Sequence, residues 1–216
     1  MTDRRTTVDR IVDGGVIAVL RGVSDETLEP IATAIADGGI TAIEVTADTA
    51  DVTGKIDRLS THVGDRDALI GAGTILDAAT ASAVSRAGAE FIVTPTLSAP
   101  VMETANREGL PVVPGIMTPT EAQQALELGT DVVKLFPAQT VGPGHIGAIQ
   151  GPLAQVDVIP TGGVTLENAA SYIEAGGIAV GVGSALVTDD ILATEDWQAL
   201  EDRSAAFVEA VETARN

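Results

Sequence analysis

The chain has no cysteine, which excludes disulfides, thiolate catalysis and cysteine-ligated zinc or iron–sulfur sites. Aromatic residues are scarce, at 2% of its 216 residues. No apolar run approaches the ~20 residues needed to span a bilayer. The Arg4-Arg5 pair is followed by the amphipathic TTVDRIVD rather than by the apolar stretch of an export signal. The expectation is a cytoplasmic protein without a membrane partner. Positive charge is scarce too: 12 basic residues face 31 acidic ones, for a net charge of −19, and such a field repels nucleic acid. Ten of the twelve are arginines, which leaves Lys55 and Lys134 as the only lysines.

What the chain does have is a repeat. Eight short β-rich segments recur: VIAVL (16–20), AIEVT (42–46), LIGAGT (69–74), FIVTP (91–95), PVVPG (111–115), VVKLF (132–136), VIPTGG (158–163) and AVGVGS (179–184). Amphipathic helical patterns separate them, as with Leu28, Ile31, Ala32 and Ile35 on one face. Ser24 is placed to cap that helix, with Asp25 and Glu26 in its first turn. Thr118-Pro-Thr-Glu121 is a sharper start signal, a capping box with proline at the first helical position. Gly88, Gly109 and Gly129 each end a helix ahead of a strand, spaced 21 and 20 residues apart.

One helix plus one strand is therefore the repeating unit, and eight units in this length predict a compact α/β fold, a (β/α)8 TIM barrel. No linker is visible, so residues 1–216 are expected to form a single domain with N-terminal and C-terminal closing helices, the latter from Trp197 to Ala214. An open doubly wound sheet is the alternative. It usually carries a G-x-G-x-x-G turn after its first strand, whereas here that strand runs into RGVSD.

Lys134 stands inside an apolar run, where an ammonium loses hydration. Alternate strand residues share a face, so Lys134 and Phe136 point opposite to Val133 and Leu135. The same alternation sends Glu44 and Thr46 inward and Ile43 and Val45 outward, and sets Ala72 and Thr74 on one face with Thr74 at the strand end. Lys134 and Glu44 would share the lumen. They are either a buried ion pair or a reactive pair, because burial disfavours the charged ammonium and leaves neutral amine to attack a ketone. Glu44 would then move protons beside the resulting imine.

Gly162 and Gly163, with Gly183 and Ser184, fall at the ends of strands seven and eight, where barrels bind phosphate through backbone N–H groups. Arg21, directly after strand one, is a candidate counter-charge. His62 and His145 lack a second histidine at ligand spacing, so no metal site is expected. Lys55, within DVTGKIDRL, is expected to be solvated.

AIEVT, IGAGTIL, GAEFIVTPTL, PVVPGIMTPTEA, VVKLFPA and PTGGV, in this order and spacing, resemble the class I 2-keto-3-deoxy-6-phosphogluconate (KDPG) aldolases, also known as 4-hydroxy-2-oxoglutarate aldolases. The resemblance covers roughly residues 8 to 190. It implies a homotrimeric barrel that splits a phosphorylated 2-keto-3-deoxy sugar acid into pyruvate and glyceraldehyde 3-phosphate, with no cofactor. It also implies that Lys134 forms the Schiff base and that Glu44 is the general acid and base. By the same resemblance Thr74 bonds the pyruvyl carboxylate, Pro95 and Phe136 line the pocket, and Arg21 belongs to the site. Thr161, Gly162, Gly163 and Ser184 would lie near the distal hydroxyls and phosphate.

One position departs from the family pattern. Many members read E-V-T-x-R-T, whose arginine clamps the substrate carboxylate, but this chain reads EVTADT with Asp48. The 4-epimeric galactonate substrate, or an unphosphorylated sugar acid, is therefore an alternative. More distant readings are a phosphate-binding barrel epimerase or decarboxylase, or a non-catalytic barrel. The acidic, lysine-poor composition resembles that of proteins from salt-loving organisms, and activity is expected to rise with molar salt.

Overall fold

The computed structural model describes residues 4–63, 66–130 and 132–216. Strands and helices alternate along it. Helix α1 (Arg4–Gly14) leads into β1 (Val16–Leu20), followed by α2 (Leu28–Asp37), β2 (Ala42–Thr46), α3 (Val52–His62), β3 (Leu69–Gly73), α4 (Ala78–Arg86), β4 (Phe91–Val93) and α5 (Ala99–Glu108). The second half contains β5 (Val112–Val113), β6 (Gly115–Ile116), α6 (Pro119–Glu127), β7 (Val132–Leu135), α7 (Gly144–Gln150), β8 (Asp157–Pro160), α8 (Ala169–Glu174), β9 (Val180–Val182), α9 (Asp189–Thr194) and α10 (Trp197–Arg215).

Every ladder is parallel. Strands β5-β4-β3-β2-β1-β9 form a six-stranded sheet and β6-β7-β8 a three-stranded one. Single bridges, Val158 to Gly177 and Thr161 to Gly181, join the two, so the sheet is curled. The expected fifth strand is split in two because Pro114 has no N–H to give to a ladder. Its carbonyl still serves, accepting from Lys134 N at 2.8 Å.

The inward and outward faces carry separate cores. Ile17, Ala42, Leu69, Phe91, Val113, Val132 and Ile159, one from each of seven strands, pack together in the interior. Ile43 and Val45, Ile70 and Ala72, and Val133 and Leu135 instead pack outward with the helices. Two residues beyond Ala42 and Val132 on the inward face stand Glu44 and Lys134, as alternation requires. The chemistry therefore sits one layer above the apolar plug, toward the C-terminal ends of the strands.

The capping box at Thr118 and Glu121 is present in full, with Pro119 in the first turn. Gly88, Gly109 and Gly129 adopt positive φ, which only glycine takes without strain. Helix α10 covers α2 and α8 and buries Leu200, Phe207 and Val211. The start of α2 differs from expectation. Residues 25–27 form a turn, Glu29 is the acid in the first helical turn, and Ser24 Oγ accepts from Thr27 N at 3.3 Å instead of capping the helix. The Asp25 carbonyl accepts from Arg58 Nη2 at 3.1 Å, and the helical ladder opens with Ile31 N donating to Thr27 O at 3.0 Å. Among the described residues no helix is long and apolar enough to cross a membrane.

Candidate active site

Lys134 is 6% exposed and its Nζ lies 4.7 Å from the centroid of the Phe136 ring. Among the described residues no carboxylate stands within ion-pair distance of it. Glu44 is 2% exposed, and its Oε1 has no hydrogen-bond partner. Burial pushes the Glu44 carboxyl up from its ordinary 4.5, against the pull of the Lys134 and Arg21 charges, and the Asp48 charge adds to the rise. The buried ion pair is therefore not the arrangement found. The two groups share the interior without direct contact, and the carboxyl is biased toward keeping its proton.

Glu44 has room only because residue 73 is glycine. A Cβ at Gly73 would overlap the Glu44 carboxylate. Gly73 is not among the residues expected at the site, although LIGAG places Gly71 and Gly73 together on the inward face.

At the mouth, Arg21 Nη1 donates to Asp48 Oδ2 and Arg21 Nη2 donates to Thr74 Oγ1 at 3.2 Å. Thr74 does not share a face with Ala72 as alternation predicted. Strand β3 ends at Gly73, and Thr74 turns into the left-handed region with φ 58°, a conformation costing a non-glycine residue about 1–2 kcal/mol. Asp48 is partly desolvated, which pushes its carboxyl up, but the Thr46 hydroxyl and the Arg21 charge outweigh this and hold it below the usual range.

On the far side, Pro95 is half-buried, and its carbonyl lies so close to Gly115 that a Cβ there would collide with it. Gly115 is the ladder neighbour of Lys134. Thr161 is buried, its N–H donating to Leu135 O at 3.0 Å. Gly162 and Gly163 follow with φ of 89° and 81°, and a Cβ on Gly162 would stand 3.1 Å from the Phe136 ring. Among the described residues the N–H groups of Gly163 and Ser184 are given to no protein acceptor. Gly183 and Ser184 line a cleft of about 280 Å³ with Arg21, Val19 and Asp189. Asp189, an acid beside loops expected to take phosphate, was not anticipated from the sequence.

Other residues fall elsewhere. His62 Nε2 lies 2.9 Å from Thr33 Oγ1, and His145 Nε2 lies 2.8 Å from Met117 O. Among the described residues no group of three or more metal-ligating side chains forms. Lys55 is not solvated: it is 4% exposed, and its ammonium pairs with Asp25. Clefts of about 390 and 490 Å³ lie beside Trp197 and beside Arg4-Arg5, and neither Lys134 nor Glu44 lines them.

Comparison with known proteins decides the family. The family model described as "Aldolase: KDPG and KHG aldolase" matches residues 8–202. The chain belongs to the KDPG and KHG aldolase family. It is 37% identical over 201 residues to a 2-dehydro-3-deoxy-6-phosphogalactonate aldolase of Escherichia coli strain K12, covering 92% of this chain and 95% of that one. It is 36% identical over 182 residues to a 2-dehydro-3-deoxy-phosphogluconate aldolase of Pseudomonas aeruginosa, covering 83% and 81%. Among solved structures, the KDPG aldolase of Legionella pneumophila, with pyruvate captured as a covalent carbinolamine, superposes with a TM-score of 0.85 at 28% identity, covering 92% and 96%. The curled parallel sheet is thus that of a TIM-like barrel, and the family is one of aldolases, which are lyases.

Proposed function

We propose that this protein is a Schiff-base aldolase cleaving 2-keto-3-deoxy-6-phosphogluconate to pyruvate and glyceraldehyde 3-phosphate, with Lys134 as nucleophile and Glu44 as general acid and base. The observation that carries the reading is a buried lysine with no carboxylate partner beside a buried carboxyl that favours its protonated form. Neutral Lys134 Nζ adds to the C2 carbonyl to give a carbinolamine. Glu44 donates its proton to the departing hydroxyl, which leaves as water and produces an iminium.

The Glu44 carboxylate then takes the C4 hydroxyl proton. The C3–C4 bond breaks, its electron pair passes into an enamine, and the aldehyde leaves. Glu44 returns the proton to C3, and water attacks the iminium as Glu44 takes its proton, freeing pyruvate and regenerating both groups. Thr74 and Arg21 hold the carboxylate of the 2-oxo acid. Pro95 and Phe136 wall the pocket, and Thr161, Gly162, Gly163, Gly183 and Ser184 receive the distal hydroxyls and phosphate. Positioning of this kind is worth roughly 7–11 kcal/mol of barrier when complete.

The 4-epimeric galactonate acid is a second substrate reading, favoured by the relative of that specificity and by Asp48 standing where the pattern has arginine. The bridges between the two ladders support a closed eight-stranded barrel, which we read as a single domain working in the cytoplasm as a homotrimer without cofactor. The test is pyruvate release from the gluconate acid, its 4-epimer and the unphosphorylated acid, by the native chain and by Lys134→Met. Release abolished in the folded variant supports the scheme. Turnover retained without Lys134, or no release from any of the three acids, overturns it.

A further inference from the structure

Asp48 sits at the mouth of the site, and the structure shows what it holds. Arg21, Asp48 and Thr74 stand just beyond the ends of the adjacent strands β1, β2 and β3. The segment carrying Arg21 is tied to the one carrying Asp48 at further points. Gly22 N donates to Thr49 Oγ1 at 3.0 Å, Lys55 pairs with Asp25, and Arg58 Nη2 donates to Asp25 O at 3.1 Å. The guanidinium is thereby held on two sides, by Asp48 at Nη1 and by Thr74 at Nη2.

This arrangement leaves donors to spare. A guanidinium carries five N–H groups, of which these two contacts use two, and the Arg21 side chain is 56% exposed. Thr74 Oγ1 accepts from Arg21, which leaves its own proton to be given away. A guanidinium edge and a hydroxyl therefore present donors side by side, at the rim above Glu44, to one incoming carboxylate.

We propose that Asp48 is a positioning residue for the substrate carboxylate, fixing Arg21 against Thr74 so that the two form a seat for the carboxylate of the 2-oxo acid. Asp48 replaces the cation of the family pattern by organising a cation from another strand. The inference rests on the aldolase reading, since it assigns the anion to a 2-oxo acid bound on Lys134. It makes position 48 a determinant of affinity for that carboxylate, acting entirely through Arg21.

The experiment is borohydride trapping over a range of pyruvate concentrations, read by intact mass, on the native chain, Asp48→Asn, Arg21→Gln and the double variant, each checked for fold by circular dichroism. Asp48→Asn keeps the shape and removes the charge. The half-saturating pyruvate concentration should rise about tenfold, the weight of one charge-assisted hydrogen bond, with the full adduct still reached at saturation. Arg21→Gln should raise it at least as much, and Asp48→Asn should add nothing in the Arg21→Gln background. Asp48→Ser, which shortens the side chain as well as removing the charge, should shift it in the same direction. An unchanged half-saturation in Asp48→Asn, or an equal shift with and without Arg21, overturns the proposal while leaving the aldolase reading intact. Absence of any adduct on the native chain overturns the aldolase reading itself.

Discussion

Glu44 lies across Gly73, and the carboxylate occupies the space that a Cβ on residue 73 would fill. The inward position of β3 is thus reserved for the side chain of its neighbour β2. Gly73→Ala should push Glu44 out of place, lowering turnover by about 100-fold, the lower end of a general acid–base contribution, while Lys134 still traps pyruvate. Full pyruvate adduct reached on long trapping beside slow steady-state turnover checks this; loss of the adduct even at saturating pyruvate would mean that the barrel itself had distorted.

The raised Glu44 carboxyl ties stability to pH. A carboxyl whose folded pKa lies above its unfolded value of 4.5 binds more protons folded than unfolded within that window, so its contribution falls as pH rises through it. Glu44→Gln removes the dependence. In urea denaturation the variant should gain on the native chain as pH is raised from below 4.5 toward neutrality, and a gap constant with pH would show that Glu44 titrates in the folded chain as it does in the unfolded one. The same variant should form the pyruvate adduct yet cleave slowly.

Lys55 and Asp25 make an unequal pair, with the Lys55 side chain 5% exposed and that of Asp25 68% exposed. Removing the outer partner leaves a buried ammonium without its counter-charge, while removing the inner one leaves a solvated carboxylate. Asp25→Asn should therefore lower the denaturation midpoint more than Lys55→Met, which keeps the apolar stem. The reverse order would show that the ammonium is well hydrated.

Much of this was readable in the chain because strand alternation is a local rule. AIEVT and VVKLF assigned Glu44 and Lys134 to the inward face correctly, since both stand within regular strands whose outward residues are purely apolar. Thr74 escaped the rule because it lies one residue past the strand end, in a left-handed turn. Lys55 escaped it because its partner is 30 residues away, brought close only when the segment after β1 folds against α3. Asp48 was recognised as a departure from pattern, but its pairing with Arg21, 27 residues distant, follows from the β1–β2 register. The break at Pro114 was missed, since PVVPG (111–115) reads as one strand although proline has no N–H to give to a ladder.

The most direct test of the account is borohydride reduction of the chain in the presence of pyruvate, followed by peptide mass analysis. One stable pyruvate-derived adduct is expected on the peptide containing Lys134, absent from the Lys134→Met variant. An unmodified Lys134 peptide from the folded chain, or an adduct on the peptide containing Lys55, would contradict it.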